Sequence, residues 1–569
     1  MAFTHLHIHD QYSQLDGMGK AEDFCARAVE LGMKSIGLTN HGNMDGVIKW
    51  QKACKDAGLK PVLGFEAYIV PNMVDKENTN RWHMTILCRN EKGFENCLKM
   101  LTYANTQGFY KRPRIDPDLL YEHAEGIAIL TGCSFSFLKM EGGVQIYREL
   151  RQWGVPIFLE VMPLIFDPQK EMNKLVLQLK RNYGGDLVAT NDCHYVKREH
   201  SVSQEVLLAI QFKKRWNDTD RFRFDTDELY LRSEEEMKAA FRRQAILSNS
   251  EIEEAISNTQ KVVDLCNLTV EKRPVLLPKV VVPHYKHLPE DEQIMELALD
   301  GLRVKALKHP SIAHNFDTYE ERVVEELEHI IPLGFSRYFL IVWELINWCK
   351  ANDIMCGPGR GSVGGSLVAY CLGITMVDPL KYDLVFSRFI SPARIDLPDI
   401  DMDFEDRKRH LIREHLEELY GSNNVVGVST FARMKGKAAI RSVARVFDVP
   451  IMDVSRACDC IVTRSGGDIR ADFTIEDAFS AFEDGRKFKE KYPQVTKIAM
   501  ELEGQISNSG QHAAAMCVSA EDLRLGKNAN YVQRKGGVLC CNWEKEDAEY
   551  MGLMKLDVLG LNALTVCWA

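Results

Sequence analysis

The chain has no apolar run approaching the roughly 20 residues that a helix needs to span a bilayer. Its first residues, Met1-Ala2-Phe3-Thr4-His5, do not read as a secretory leader, since they lack the charged and apolar regions of one. It has no disulfide framework. Its 16 cysteines are scattered, with Cys540 and Cys541 adjacent, and that usage fits a reduced cytoplasmic setting. It has no excess of positive charge: the net charge of −10 argues against a surface that coats nucleic acid as a whole. A local basic groove is compatible with that balance, and acidic metal sites contribute negative charge of their own. A Walker A loop is also missing, because no Gly-Lys-Ser/Thr follows the glycine-rich stretch at 357–366.

What is there is an ordinary globular chain of 569 residues, 45% hydrophobic and 27% charged. At about 150 residues per domain it holds roughly three or four domains. Residues 1 to about 270 alternate short strands and helices, an α/β pattern that predicts a barrel or a doubly wound sheet. Metal-competent residues recur where strands should end. His5-Leu6-His7-Ile8-His9 alternates, which predicts a strand with His7 and His9 on one face. Asp16, His41, Glu66, His83, Cys133, Asp192 and His194 follow at similar positions. In α/β domains strand ends converge on one site, so these nine residues predict a multinuclear cluster. Imidazole with carboxylate suits zinc, manganese or iron better than calcium.

The same residues carry a resemblance. His7-Ile8-His9, Asn40-His41-Gly42-Asn43, Gly64-Phe65-Glu66, His83, Cys133 and Asn191-Asp192-Cys193-His194-Tyr195 resemble the motifs of the polymerase and histidinol phosphatase (PHP) family. That resemblance implies a seven-stranded α/β barrel with a two- or three-metal phosphoesterase site, held by the nine residues named. Two residues depart from the family pattern: Asn40 stands where Asp is usual, and Asp10 where a small hydroxyl residue is common. Neither is a ligand in that pattern, and both are placed to tune the ligands beside them.

A proline-punctuated connector, Lys272-Arg273-Pro274-Val275-Leu276-Leu277-Pro278, marks a boundary. Beyond it an apolar helix is predicted over 338–351. It leads into Gly357-Pro358-Gly359-Arg360-Gly361-Ser362 and Gly364-Gly365-Ser366. Backbone N–H groups of such a turn can wrap phosphate oxygens, with Arg360 adding charge-assisted bonds; a plain flexible turn is the other reading. Some 40 residues on, Pro398-Asp399-Ile400-Asp401-Met402-Asp403-Phe404 alternates strictly. Period two predicts a strand with Ile400, Met402 and Phe404 buried and Asp401 and Asp403 about 7 Å apart on the other face. Asp is a poor strand former, so something cationic should compensate. The heptad alone admits either a pair of magnesium ions for nucleotidyl transfer or an exposed acidic edge.

With Arg388 in Phe386-Ser387-Arg388-Phe389, residues 357–366 and 398–404 resemble the catalytic core of the C-family replicative DNA polymerases, the family of bacterial DNA polymerase III alpha subunits. The resemblance implies a palm of the polymerase β nucleotidyltransferase fold. It implies a third carboxylate at Asp557 and a cation at Lys555 near the primer or triphosphate, both on one face of 554–561. Arg360, Gly361, Ser362 and Arg388 would then bind phosphates. Within 430–449, Lys437, Arg441 and Arg445 recur every four residues and form one helical stripe, opposite Ala438, Ile440, Val443 and Val446. Such a stripe suits a DNA backbone, and a solvated charged face is the other reading. Ser507-Asn508-Ser509-Gly510-Gln511-His512-Ala513-Ala514-Ala515 resembles a His-Ala-Gly-Gly segment of the family, with alanines replacing the glycine pair.

The implied architecture is α/β and α+β multidomain. It comprises a PHP-type α/β barrel at 1–272, a first part of the palm with its linker at 273–432, a helical thumb insertion at 433–505, a second part of the palm at 506–560, and the start of fingers at 561–569. The implied function is DNA-directed DNA synthesis in replication, with two magnesium ions in the palm. PHP 3′→5′ exonuclease proofreading would use two or three zinc, manganese or iron ions. Primer–template DNA and deoxynucleoside triphosphates are the implied substrates. A second polypeptide would carry the fingers and clamp-binding regions, and a sliding clamp would be reached only through it. The setting would be a bacterial cytoplasm, including that of a phage host. Two rival expectations remain: a stand-alone PHP phosphoesterase with a vestigial palm, and a non-enzymatic scaffold half of a split polymerase.

Overall fold

The computed structural model describes residues 3–77, 79–391, 397–462, 474–534 and 536–568. It divides into two compact units. One comprises Met1–Glu271, Thr430–Gly510 and Ala529–Gly537; the other Lys272–Ser429, Gln511–Asn528 and Val538–Ala569. Among the described residues no helix is long and apolar enough to cross a membrane.

The first unit holds a seven-stranded sheet: β1 (Ser35–His41), β2 (Lys60–Ile69), β3 (Trp82–Cys88), β4 (Arg114–Ile115), β5 (Ile127–Leu130), β6 (Ile157–Val161) and β7 (Leu187–Ala189). The order is β1-β2-β3-β5-β6-β7, with β4 beside β2. β3 is antiparallel to both its neighbours and the other pairs are parallel. These strands are buried nearly throughout, as parallel strands covered on both faces must be.

The histidine segment at the start is not the regular strand its alternation predicts. It is extended chain joined by a single bridge, Ile8 to Cys193, with the His9 N–H donating to the Cys193 carbonyl at 2.8 Å. On its other side the Gly37 N–H of β1 donates to the His5 carbonyl at 2.8 Å. It thus bonds both to β1 and to the residues just past β7, which closes the curled sheet. Gly37 permits this approach, since a Cβ there would stand 2.7 Å from Leu6 Cα.

A second sheet, most of whose residues belong to the second unit, has the strands β8 (Asp401–Glu405), β9 (Val425–Arg433), β10 (Ile506–Val518), β11 (Leu539–Cys541) and β12 (Met554–Leu561) in the order β11-β9-β10-β12-β8. β8 and β12 are parallel, β10 and β12 antiparallel. Ile400, Met402 and Phe404 are buried as the alternation predicts, in a core with the apolar helix Ser336–Ala351. Each such burial contributes about 1.5–3 kcal/mol. Two carboxylates about 7 Å apart repel by roughly 0.6–2.4 kcal/mol at effective dielectrics of 80 to 20, so burial wins and the acidic strand forms.

Residues 430–510 belong to the first unit. Their helices Gly436–Val446 and Pro493–Leu502 pack on the helix Ser201–Gln211, with Ile440, Val443, Ile498 and Leu502 against Val206 and Leu207 in one core. The expected helix over 430–449 is shorter: residues 430–433 finish β9, and the helix starts at Gly436. Ala438 is also exposed rather than facing the core. Ala439, Ile440, Val443, Ala444 and Val446 form the buried face, because at 100° per residue Ala438 falls outside that stripe.

Candidate metal centres

In the first unit all nine predicted donors converge. β1 ends on His41, which lies in register with Glu66 on β2; His83 opens β3; Cys133 follows β5; Asp192 and His194 follow β7. Glu66 is the hub. Its carboxylate lies 2.6 Å from His41 Nδ1, 3.0 Å from His83 Nδ1 and 3.3 Å from His7 Nε2. Cys133 Sγ is 3.9 Å from the same carboxylate and 3.5 Å from His83. Asp192 Oδ1 lies 3.1 Å from His9 Nε2, and Asp16 Oδ2 lies 3.2 Å from His41 Nε2. Asp192 holds φ +49, a left-handed conformation that Asp tolerates better than most residues and that turns its carboxylate into the cluster.

The hydrogen bonds aim the imidazoles. His194 Nδ1–H donates to the Asp192 carbonyl at 2.8 Å, and His7 Nδ1–H donates to Glu160 at 2.7 Å. Ser13 Oγ–H donates to Asn40 Oδ1, so His9 Nδ1–H donates to Ser13 Oγ at 3.1 Å. The Nε2 atoms of His7, His9 and His194 are buried and have no hydrogen-bond partner, and neither have Asp16 Oδ1, Glu66 Oε2 and Asp192 Oδ1. Ring nitrogens facing carboxylate oxygens need positive charge between them, a proton or a metal ion, and this donor set fits divalent metal. Three triads have donor atoms within 4.8 Å of one another: His9, His41 and His194; His7, His9 and Glu66; His41, Glu66 and His83.

The electrostatics of the cluster carry the same demand for positive charge. Burial acts against the charged form of Glu66, yet His83, His7 and His41 hold its carboxyl well below the usual range. Burial, with His41 and His194 nearby, depresses His9 to about 3. Burial and the Glu66 carboxylate push the Cys133 thiol up, so it becomes a thiolate ligand only beside a cation.

Glu160 is a site residue that the sequence did not reveal. It is fully buried on β6 and accepts from His7, Thr190 Oγ1 at 2.6 Å and the Gly132 N–H at 2.7 Å. The available signal was a lone carboxylate inside the apolar run Ile157-Phe158-Leu159-Glu160-Val161.

In the second unit, parallel pairing of β8 and β12 sets Asp557 directly opposite Asp401, with Asp403 two residues further along. Asp403 Oδ1 and Asp557 Oδ1 are buried and have no hydrogen-bond partner. Oxygen donors of this kind suit a hard divalent ion. Among the described residues no three donors of this acidic set come within 4.8 Å of one another, so it is more open than the histidine cluster, as like charges require.

Three cations offset it. Arg360 lies 3.9 Å from Asp401 and 3.8 Å from Asp403. Lys555, only 6% exposed, lies 3.0 Å from Asp557 and 3.2 Å from Asp399, and Lys545 lies 3.7 Å from Asp557. Burial acts to lower the Lys555 amine, but hydrogen bonds and those two carboxylates prevail and raise it. Gly357 donates its N–H to the Asp403 carbonyl at 2.8 Å, and a Cβ there would stand 2.9 Å from Asp403 Cβ. Gly361 and Ser362 open a 3-10 turn over Gly361–Gly365 with both residues exposed.

Arg388 ends the short turn Phe386–Arg388, which packs on the Gly361–Gly365 turn. It is exposed and, among the described residues, makes no ion pair with the acidic set. Arg441 and Arg445 are exposed on the helix Gly436–Val446, and Lys437 is half-buried. His512 Nδ1 accepts the Ala515 N–H at 2.8 Å and the Ala514 N–H at 3.2 Å, so its ring shapes the backbone of its own strand.

Residues 293–560 match the family model for the bacterial DNA polymerase III alpha NTPase domain, and residues 5–153 match that for the PHP domain. The chain belongs to the DNA polymerase III alpha family. It is 35% identical to DNA polymerase III subunit alpha of Treponema pallidum, over all of this chain and 48% of that protein. Against the same subunit of Helicobacter pylori it is 35% identical, over 99% of this chain and 49% of that protein. Against that of Aquifex aeolicus the identity is 33%, over 99% of this chain and 51% of that protein. The chain thus spans about half the length of the curated relatives it matches. The expected fold, a PHP domain with a polymerase palm and thumb, is the fold of this family member, and both domains imply the use of divalent metal.

Proposed function

We propose that this chain supplies the nucleotidyl-transfer site of a DNA-directed DNA polymerase and acts with the portion of its relatives that lies outside the match, carried on a second polypeptide. The observation that carries this is the register of Asp557 opposite Asp401. In this reading Asp401, Asp403 and Asp557 hold two magnesium ions. When bound, these supply Lewis acidity to the primer 3′-hydroxyl and charge for the departing pyrophosphate. Arg360, the Gly361 and Ser362 amides and Arg388 bind and orient the triphosphate. Lys555 holds Asp557 in position beside it. Lys437, Arg441 and Arg445 meet the DNA backbone without reading sequence. A sliding clamp is reached through the second polypeptide, and the setting is a bacterial cytoplasm or that of a phage host.

The PHP cluster is proposed as a separate phosphodiesterase that removes 3′ nucleotides, using two or three zinc, manganese or iron ions. The unpartnered Nε2 atoms of His7, His9 and His194 favour this over an inert scaffold. The test is primer extension by the chain assembled with its partner. Asp401→Asn should cost about a thousand-fold in extension while 3′ removal continues. Equal loss of both activities refutes separate sites, and unchanged extension refutes the polymerase assignment.

A further inference from the structure

Seven rings form an unbroken file through the PHP cluster. Phe135 lies against His83 at 5.6 Å, His83 against His41 at 5.6 Å, and His41 against His194 at 5.7 Å. His194 then meets Phe224 at 5.0 Å, Phe224 meets Phe222 at 5.5 Å, and Phe222 meets Phe212 at 5.7 Å. The rings beyond the histidines open to solvent: Phe135 is 60% exposed, Phe222 48% and Phe212 47%. Phe224 packs on the apolar core beneath it, but Phe212 and Phe222 lie outside that core. Single exposed apolar residues are ordinary, whereas contiguous rings ending on a metal-type histidine mark a binding surface.

The charges beside the rings narrow the occupant. Lys214 pairs with Asp220, Arg215 with Asp448 and Arg221 with Glu205, so these three cations hold the local fold. Lys213 and Arg223, adjacent in sequence to Phe212 and Phe222, are exposed and make no ion pair among the described residues. Exposed rings alternating with free cations provide stacking faces for bases and contacts for the phosphates that join them. A duplex keeps its base faces covered, so the occupant has to be single-stranded.

We propose that Phe212, Phe222 and Phe224 on one side of the PHP cluster, and Phe135 on the other, are a stacking track for unpaired bases of a single-stranded nucleic acid whose end is led to that cluster. This rests on the phosphodiesterase reading above and extends it from the reacting phosphate to the bases. Because every base has a π-face, the track is indifferent to sequence and requires bases to be present.

The test uses the full chain and a twelve-residue oligothymidylate with 5-iodouracil at its 3′ end, irradiated and mapped by mass spectrometry. Adducts should fall on Phe135 or within residues 212–224. A double variant, Phe212→Ala with Phe222→Ala, should lower the yield about ten-fold, with an unaltered circular dichroism spectrum showing that it folds. Unlabelled oligothymidylate should compete, and an abasic strand of equal length should not. Adducts confined to other segments, or an undiminished yield in the folded double variant, overturn the track. A concentration-dependent dimer dissolved by Phe222→Ser assigns the rings to a protein contact and also overturns it. Hydrolysis of bis(p-nitrophenyl) phosphate by the wild-type chain reports on the phosphodiesterase reading separately. Its absence removes that reading while the cross-link still decides the track.

Discussion

The Asn40 side-chain amide donates to the Asp10 carboxylate at 2.7 Å, and Asn40 Oδ1 accepts the Asp10 backbone N–H at 3.0 Å. These are the two residues that the sequence reading singles out beside the PHP-like motifs, and each is the other's partner. Both are buried, and burial pushes the Asp10 carboxyl up to about 6 although Tyr12 and Asn40 bond to its charged form. The pair ties the segment after His9 to the end of β1, and Ser13 joins it by donating to Asn40.

Asn40→Asp would set two carboxylates against each other without water. It should destabilise the chain by about 3 kcal/mol, the scale of an uncompensated buried charge. Adding Asp10→Ser should restore most of the loss. Urea denaturation of the single and double variants checks this; additive losses would show that the two positions are not coupled.

Glu160→Gln keeps the shape of β6 but withdraws the charge that orients His7. Metal affinity of the PHP cluster should fall about 10- to 100-fold, the usual effect of removing a partner behind a ligand. Competition against a chromophoric chelator, with elemental analysis of the dialysed protein, measures it. An unchanged affinity would leave Glu160 a purely structural acid.

Gly357→Ala would place a methyl group 2.9 Å from Asp403 Cβ, on strand backbone that cannot swing aside. The cost should be about 1–3 kcal/mol of stability. Because the displaced strand carries Asp403, magnesium binding measured by titration calorimetry should weaken as well. Unchanged binding would mean that the loop, not the strand, gives way.

Burial lowers the His512 pKa below its ordinary value of 6.5, with Lys545 and Lys555 lowering it further and Asp557 opposing. The neutral ring is also the form whose Nδ1 can accept two backbone N–H groups. A histidine with a depressed folded pKa stabilises the fold fully above 6.5. That contribution is lost as pH falls from there toward the folded value, since the unfolded chain takes up the proton first. A histidine nitrogen NMR titration, assigned with His512→Gln, should give a midpoint below 6.5, and a midpoint at or above it would refute the assignment.

Much of the first centre was legible because its chemistry sits where strands end, and nine metal-competent residues in such places are an unusual coincidence. Glu160 was not legible: one carboxylate in an apolar run looks the same whether it caps a turn or orients a ligand, and only the distance to His7 separates the two. The alternation of 400–404 displayed both its buried and its acidic face, because a period of two survives any context that covers one side. The same pattern failed at 5–9, where the Ile8 N–H goes to the Thr39 hydroxyl at 3.0 Å and not to a neighbouring carbonyl, which interrupts the ladder.

By itself the sequence determined the donor inventory, the acidic strand, the glycine turn and the family, since these depend on which side chains occur and on how near neighbours are spaced. Only the tertiary structure decided that Asp557 stands opposite Asp401, that residues 430–510 share a core with the helix Ser201–Gln211, and that rings from five separate stretches of chain line up through the PHP cluster. Each of these is a contact between distant segments. Its register is set by which apolar faces bury together, and local periodicity carries no record of that choice.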